Sequence, residues 1–136
     1  MKKDEKTKEE KKINAEGRTL GRVASETAIY LMGKNKPSFE RNVYSGVDVK
    51  VINASKIKIT AKKLESLYHV RYSGERGGLR ILKGTETKEK KGMKELVRLA
   101  VYSMLPDNKL KKEMMKHLKI DSQSDEFFHS FLFFCL

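Results

Sequence analysis

A single proline, Pro106, divides the last third of this chain into two segments that cannot form one helix. Upstream, Met93, Leu96, Val97, Ala100, Val101, Met104 and Leu105 recur at helical spacing, so one stripe is apolar and has to be buried. Downstream, Leu110, Met114 and Leu118 form a narrower stripe. Pro106 cannot continue the first helix, and Asp107 or Asn108 is placed to cap the second. A buried helix thereby delivers a basic helix onto a surface. Five lysines within eleven residues (Lys109, Lys111, Lys112, Lys116 and Lys119) repel one another, a cost that a polyanion offsets. The bland alternative is a solvated face.

The charge of the whole chain points the same way. It carries 30 Lys and Arg against 18 Asp and Glu, a net +12. The first twelve residues hold six Lys and four acids, and the last sixteen hold three acids and no base. The stretch between them keeps 24 bases and 11 acids, so the excess lies where folding is expected. A length of 136 residues fits one domain with a modest core. A pI near 9.8 makes nucleic acid the leading partner class and an anionic membrane surface the next.

Several classes are disfavoured. One cysteine, Cys135, permits neither an internal disulfide nor a cysteine-based zinc site. His69, His117 and His129 lack metal-ligand spacing, so no cofactor is expected. No run approaches the roughly 18 apolar residues of a membrane-spanning helix. Residues 1–12 have no apolar signal core and are too acidic for a transit peptide, so they read as a charged, disordered extension of a cytoplasmic protein.

Along the chain, Leu20, Val23, Ala24, Thr27, Ala28 and Leu31 predict a helix that Gly33 terminates. Gly21 inside it suggests close packing or a close approach by a backbone. Val47, Val49, Val51 and Ile52 predict a strand buried on both faces. Ile57 to Thr60 reads as extended, Lys62 and Lys63 as a turn or short helix, and Tyr68–Tyr72 and Leu79–Leu82 as further strands. Residues 84–92 are polar and closed by Gly92, so only a weak helix is expected there. Strands separated by helices argue for an α/β domain on a small sheet.

Catalytic patterns are scarce. Neither Gly-x-x-x-x-Gly-Lys-Ser/Thr nor Gly-x-Gly-x-x-Gly occurs. Gly74-Glu75-Arg76-Gly77 has the Gly-x-x-Gly spacing of KH loops, but those need a helix on each side, and Tyr68–Tyr72 looks extended. A tight turn is the plain reading. We favour a combined one, in which the glycines let the backbone approach phosphates while Arg71, Arg76 and Arg80 supply charge.

Five stretches then acquire meaning by their order: residues 13–22 (INAEGRTLGR), 33–37 (GKNKP), 51–57 (VINASKI), 73–79 (SGERGGL) and 104–110 (MLPDNKL). In this order they resemble the bacterial-type large-subunit ribosomal protein thirteen family over roughly residues 13–120. The resemblance implies a three-layer α/β/α single domain on a small, mostly parallel sheet, with basic loops and a basic C-terminal helix. It implies binding of large-subunit (23S-type) ribosomal RNA, support of early subunit assembly and translation, neighbouring ribosomal proteins as partners, and no catalysis, cofactor, membrane or small-molecule substrate. The RNA-facing positions it suggests are Arg18, Arg22, Lys34, Lys36, Arg71, Arg76, Gly77, Gly78, Arg80, Lys109, Lys111, Lys112 and Lys116, and the adjacent Lys62 and Lys63 are further RNA-binding candidates.

The chain departs from the family pattern at Glu75-Arg76, where Tyr-Pro is usual, and at Ser103 and Lys111, where Gly is usual. Residues 121–136 replace the family's usual ending with an aromatic tail. Five of the six phenylalanines lie in its last ten residues; docking into a groove on RNA or a neighbouring protein is the functional reading of this tail, and a sequence-level oddity that never packs is the bland one. Three other readings are an RNA-binding regulator outside the ribosome, a nucleotide-binding enzyme and a membrane-surface protein. The enzyme lacks a phosphate loop, and the membrane reading lacks a single basic amphipathic helix.

Overall fold

The computed structural model describes residues 10–122. Strand β1 (Glu10–Asn14) pairs in parallel with β2 (Asp48–Ile52), which pairs in parallel with β5 (Leu118–Ile120), giving the order β1-β2-β5. β1 reaches back to Glu10, so the last three residues of the expected charged extension belong to the sheet. Parallel neighbours need crossovers, and helix α1 (Leu20–Met32) supplies the first. Its six apolar-periodic residues are all buried, and Gly33, left-handed at φ 78°, donates its N–H to the Ile29 and Tyr30 carbonyls and ends it.

The second crossover is longer. It runs through a 3-10 turn (Ala54–Lys56), α2 (Ala61–Ser66), the antiparallel ribbon β3 (Tyr68–Tyr72) and β4 (Leu79–Lys83), then α3 (Gly84–Met104) and α4 (Lys111–Lys116). Strand order advances in one direction, so right-handed crossovers put both long helices on the same face of the sheet. α1 and α3 accordingly pack against each other. Between them and the sheet lie Leu31, Val23, Val49, Val51, Val97 and Val101, all at most 1% exposed. Each such side chain contributes about 1.5–3 kcal/mol on burial.

The α/β class and the mostly parallel sheet are as the sequence indicates; with α1 and α3 on one face the sheet carries one helical layer where the resemblance implies two, and four further details differ. β2 alternates, with Val49 and Val51 buried and Asp48, Lys50 and Ile52 half-buried, rather than being buried on both faces. Residues 84–91 are helical after all. Gly92 (φ 77°, ψ −175°) breaks the helical path within α3, and Thr87 is buried on the first half. Leu118 belongs to strand β5 instead of prolonging the basic helix, because the open edge of β2 takes it: Leu118 pairs with Val49 and Ile120 with Val51. Gly21 is exposed and nothing lies within 4 Å of the position its Cβ would occupy, so close packing does not explain it.

Asn53 shows how one family-like motif serves the fold. It is the single non-glycine residue with positive φ (59°) among those described, a conformation Asn tolerates better than most residues. Its side-chain N–H donates to Asn14 Oδ1 at 3.1 Å, and the same oxygen accepts the Glu16 N–H at 3.0 Å. The ends of β1 and β2 are thereby fastened together.

Candidate nucleic-acid interface

The basic candidates fall at two ends of the sheet. Beyond the C-terminal ends of β1 and β2 stand Arg18, Arg22, Lys62, Lys63 and the β3–β4 ribbon. The Lys58 N–H donates to the Arg18 carbonyl at 3.0 Å, which ties the approach to α2 to the start of α1. The Gly84 N–H donates to the Leu67 carbonyl at 2.8 Å, closing the base of the ribbon on α3. At the opposite end, Lys34 and Arg41 line a groove of about 440 Å³ together with Met104, Leu105, Pro106 and Asn108. Lys109, Lys112 and Lys116 are exposed beside it.

The ribbon is the most informative element. Its register sets Arg71 directly opposite Arg80. Like charges at opposed positions destabilise a hairpin, and neither arginine has an ion pair among the described residues. His69 shares their face, its pKa lowered by burial of the ring. At the tip, Gly78 N–H donates to the Glu75 carbonyl at 3.0 Å, and Gly77 takes φ 72°. Strands on both sides exclude the KH arrangement, since this is a hairpin tip. Gly77 has open space around it, so a side chain there would be strained by backbone conformation and not by crowding. A Cβ on Gly78 would fall 1.9 Å from Ser73 Oγ, which can rotate away, and 3.0 Å from the Glu75 carbonyl oxygen, which the turn holds in place. Arg76 stands exposed at the same tip.

Other candidates are committed elsewhere. Arg18 pairs with Glu26 at 2.5 Å, so its charge is shared with α1. Lys111 is a correction to the expected lysine face: its side chain is 8% exposed, and Nζ lies 2.6 Å from Asp107 Oδ1 and 3.9 Å from the Tyr102 ring centre. Carboxylate and ring together offset the desolvation of the ammonium. Asp107 is therefore occupied with Lys111 and does not cap α4, whose N-cap, Leu110, has no side-chain hydrogen bond. Lys36 is half-buried. Arg22, Lys34, Lys62, Lys63, Arg71, Arg76, Arg80, Lys109, Lys112 and Lys116 are exposed and make no ion pair among the described residues.

Two cations escaped the sequence reading. Lys58 is exposed next to Arg18, and the alternation Ile57-Lys58-Ile59 is the signal that turns it outward. Arg41 lies in the stretch between Pro37 and Ser45, which has no periodicity to interpret. Beside α4, the Tyr44 and His117 rings stack at 4.8 Å, and His117 Nδ1 meets Asp48 Oδ1 directly. Burial first, then the negative charges of Asp48 and Glu113, push the Tyr44 hydroxyl up to about 12. These groups knit α4 to β2. Among the described residues no cluster of His, Cys, Asp or Glu could hold a metal, and no helix is long and apolar enough to cross a membrane.

Gly21 gives a first expected outcome. With open space outside an exposed helical position, Gly21→Ala should raise the unfolding free energy by ~0.5–1 kcal/mol. A urea titration that shows a loss instead would restore the close-packing explanation.

Fold and surface together define a small basic α/β protein that holds cations on loops and on a ribbon at the ends of a parallel sheet. The family model described as Ribosomal protein L13 matches residues 8–126. The large ribosomal subunit protein uL13 of Thermosipho africanus is 43% identical over 125 residues, covering 92% of this chain and 83% of that protein. Its counterpart in Geobacter sp. strain M21 is 42% identical over 121 residues, covering 89% and 84%. That of Clostridioides difficile is 43% identical over 108 residues, covering 79% and 75%. This chain belongs to the ribosomal protein L13 family, whose members are structural components of the ribosome and not enzymes.

Proposed function

We propose that this chain is a structural constituent of the large ribosomal subunit, working in the cytoplasm, that binds large-subunit ribosomal RNA and supports early subunit assembly and translation. The observation that carries the reading is the Arg71–Arg80 pair, opposed across an exposed ribbon without a carboxylate. Phosphate oxygens between the two guanidiniums turn a repulsion into two charge-assisted contacts. Arg76 and the Gly77-Gly78 backbone extend that contact around the tip, while Arg22, Lys58, Lys62 and Lys63 continue it toward α1. Lys34, Lys109, Lys112 and Lys116 give a second contact at the far end. Two basic ends on one rigid sheet suit a protein that holds separate RNA segments in fixed relation, and neighbouring ribosomal proteins then share the assembled surface.

Recognition here is by phosphate position and RNA shape. Binding of the full chain to large-subunit RNA should therefore depend steeply on salt. With about six phosphates contacted, affinity falls by ~10³ between roughly 50 and 200 mM salt, taking the duplex slope as a guide. A nearly flat titration would contradict the mechanism. Co-sedimentation with large subunits through a high-salt wash separates a ribosomal constituent from an RNA regulator that acts elsewhere.

A further inference from the structure

Both long helices end at one corner of the molecule, and the groove they leave there is not explained by contacts to phosphate alone. Met32 closes α1, Met104 closes α3, and the loop that follows α1 adds Phe39, Arg41 and Val43 to the lining. At about 440 Å³ the groove falls within the range of roughly 300–1,000 Å³ that small-molecule sites occupy. Leu105 and Met114 form the buried part of that lining, while Val43 and Met104 stand 57% and 44% exposed. The loop is anchored. Lys34 N–H donates to the Ile29 carbonyl at 3.1 Å, and Phe39 N–H donates to the Lys36 carbonyl at 3.2 Å.

We infer that this groove takes one unstacked base of the large-subunit RNA, stacked on Phe39, with its phosphates on Lys34 and Arg41.

The inference rests on the RNA-binding reading above and adds to it a contact with a base. Charge selects the occupant. Lys34 and Arg41 are exposed and make no ion pair among the described residues, and Glu40 is the one carboxylate on the lining. An apolar groove with a basic rim suits a ligand that is flat and uncharged at one end and anionic at the other. The two helix C-termini bring partial negative charge to this corner, which keeps an anion at the rim and away from the buried lining. Lys109 and Lys112 are exposed just beyond Asn108. A lysine-rich border is the reverse of a protein–protein interface, where lysine is depleted. A nucleotide satisfies each condition, since unstacked bases of RNA bind on aromatic faces while their phosphates stay outside. Asn108, on the same lining, offers an amide donor and acceptor to the edge of the base.

The chain has no tryptophan, so full-length Phe39→Trp carries a single reporter in the groove. Saturation with large-subunit ribosomal RNA should quench its emission by at least about twofold through stacking. Inorganic polyphosphate, which offers phosphates without bases, should leave the emission unchanged. Equal quenching by both probes, or RNA binding without quenching, would overturn the inference. So would an emission already blue-shifted in the free protein and unmoved by RNA. The groove would then hold a second copy or the chain's own aromatic residues 127–136, which lie outside the described residues. A second pair of variants separates base from phosphate. Phe39→Ala should weaken RNA binding by about 5- to 150-fold at an unchanged salt slope, whereas Lys34→Ala/Arg41→Ala should lower the slope by about two contacts. Unchanged affinity in Phe39→Ala overturns the inference and leaves the RNA-binding reading standing; that reading falls only if the parent chain fails to bind the RNA.

Discussion

Leu31→Ala is expected to cost ~2–5 kcal/mol of folding stability. Leu31 is wholly buried in the last turn of α1, in one cluster with Val23, Val49, Val51, Val97, Val101 and Met114. That cluster joins α1 to α3, to the sheet and to α4, so a cavity there weakens three packings at once. The site also collapses poorly. Gly46 sits so close to the helix end that a Cβ on it would fall 2.1 Å from the Leu31 carbonyl oxygen. Backbone already touches backbone at this point, leaving little freedom to close a void. Against a typical total of roughly 5–15 kcal/mol the loss is severe. Chemical denaturation checks it, and a change below about 1 kcal/mol would mean that the α1 end is not part of the core.

Arg71→Glu is expected to move stability and RNA affinity in opposite directions. Glutamate opposite Arg80 replaces a repulsive cross-strand pair by an attractive one, worth ~0.2–1 kcal/mol to the ribbon. The same change removes one phosphate partner and engages the other. Charged hydrogen bonds contribute about 1.5–3 kcal/mol each, so the loss of two lowers RNA affinity by ~10²–10⁴. The salt slope should fall by about two contacts. Thermal melts and filter binding on one preparation give both readings. If affinity and stability fell together, the arginines would be structural.

Much of this is legible in the sequence. The α1 stripe and the ends of β3 follow from local periodicity, and the structure reproduces them residue for residue. Leu118 was not legible, because Leu110, Met114 and Leu118 keep helical spacing while the edge of β2, distant in sequence, captures the last of them. Lys111 resembles its lysine neighbours in sequence. Only the fold brings Tyr102, on the preceding helix, under its ammonium. The Arg71–Arg80 pairing depends on hairpin register, set jointly by the tip and the strands, and not on the spacing of the two residues. Arg41 had no signal at all.

The central claim is that this basic surface is an RNA surface with two ends. The most direct measurement is a crosslinking map of the full chain bound to large-subunit ribosomal RNA, read out as the peptides that carry nucleotide. Adducts are predicted on the Arg71–Arg80 segment and on the Lys109–Lys116 segment, joined to separate stretches of RNA, with none on the buried Lys111. Adducts confined to one end, or absent from the ribbon, would contradict the account.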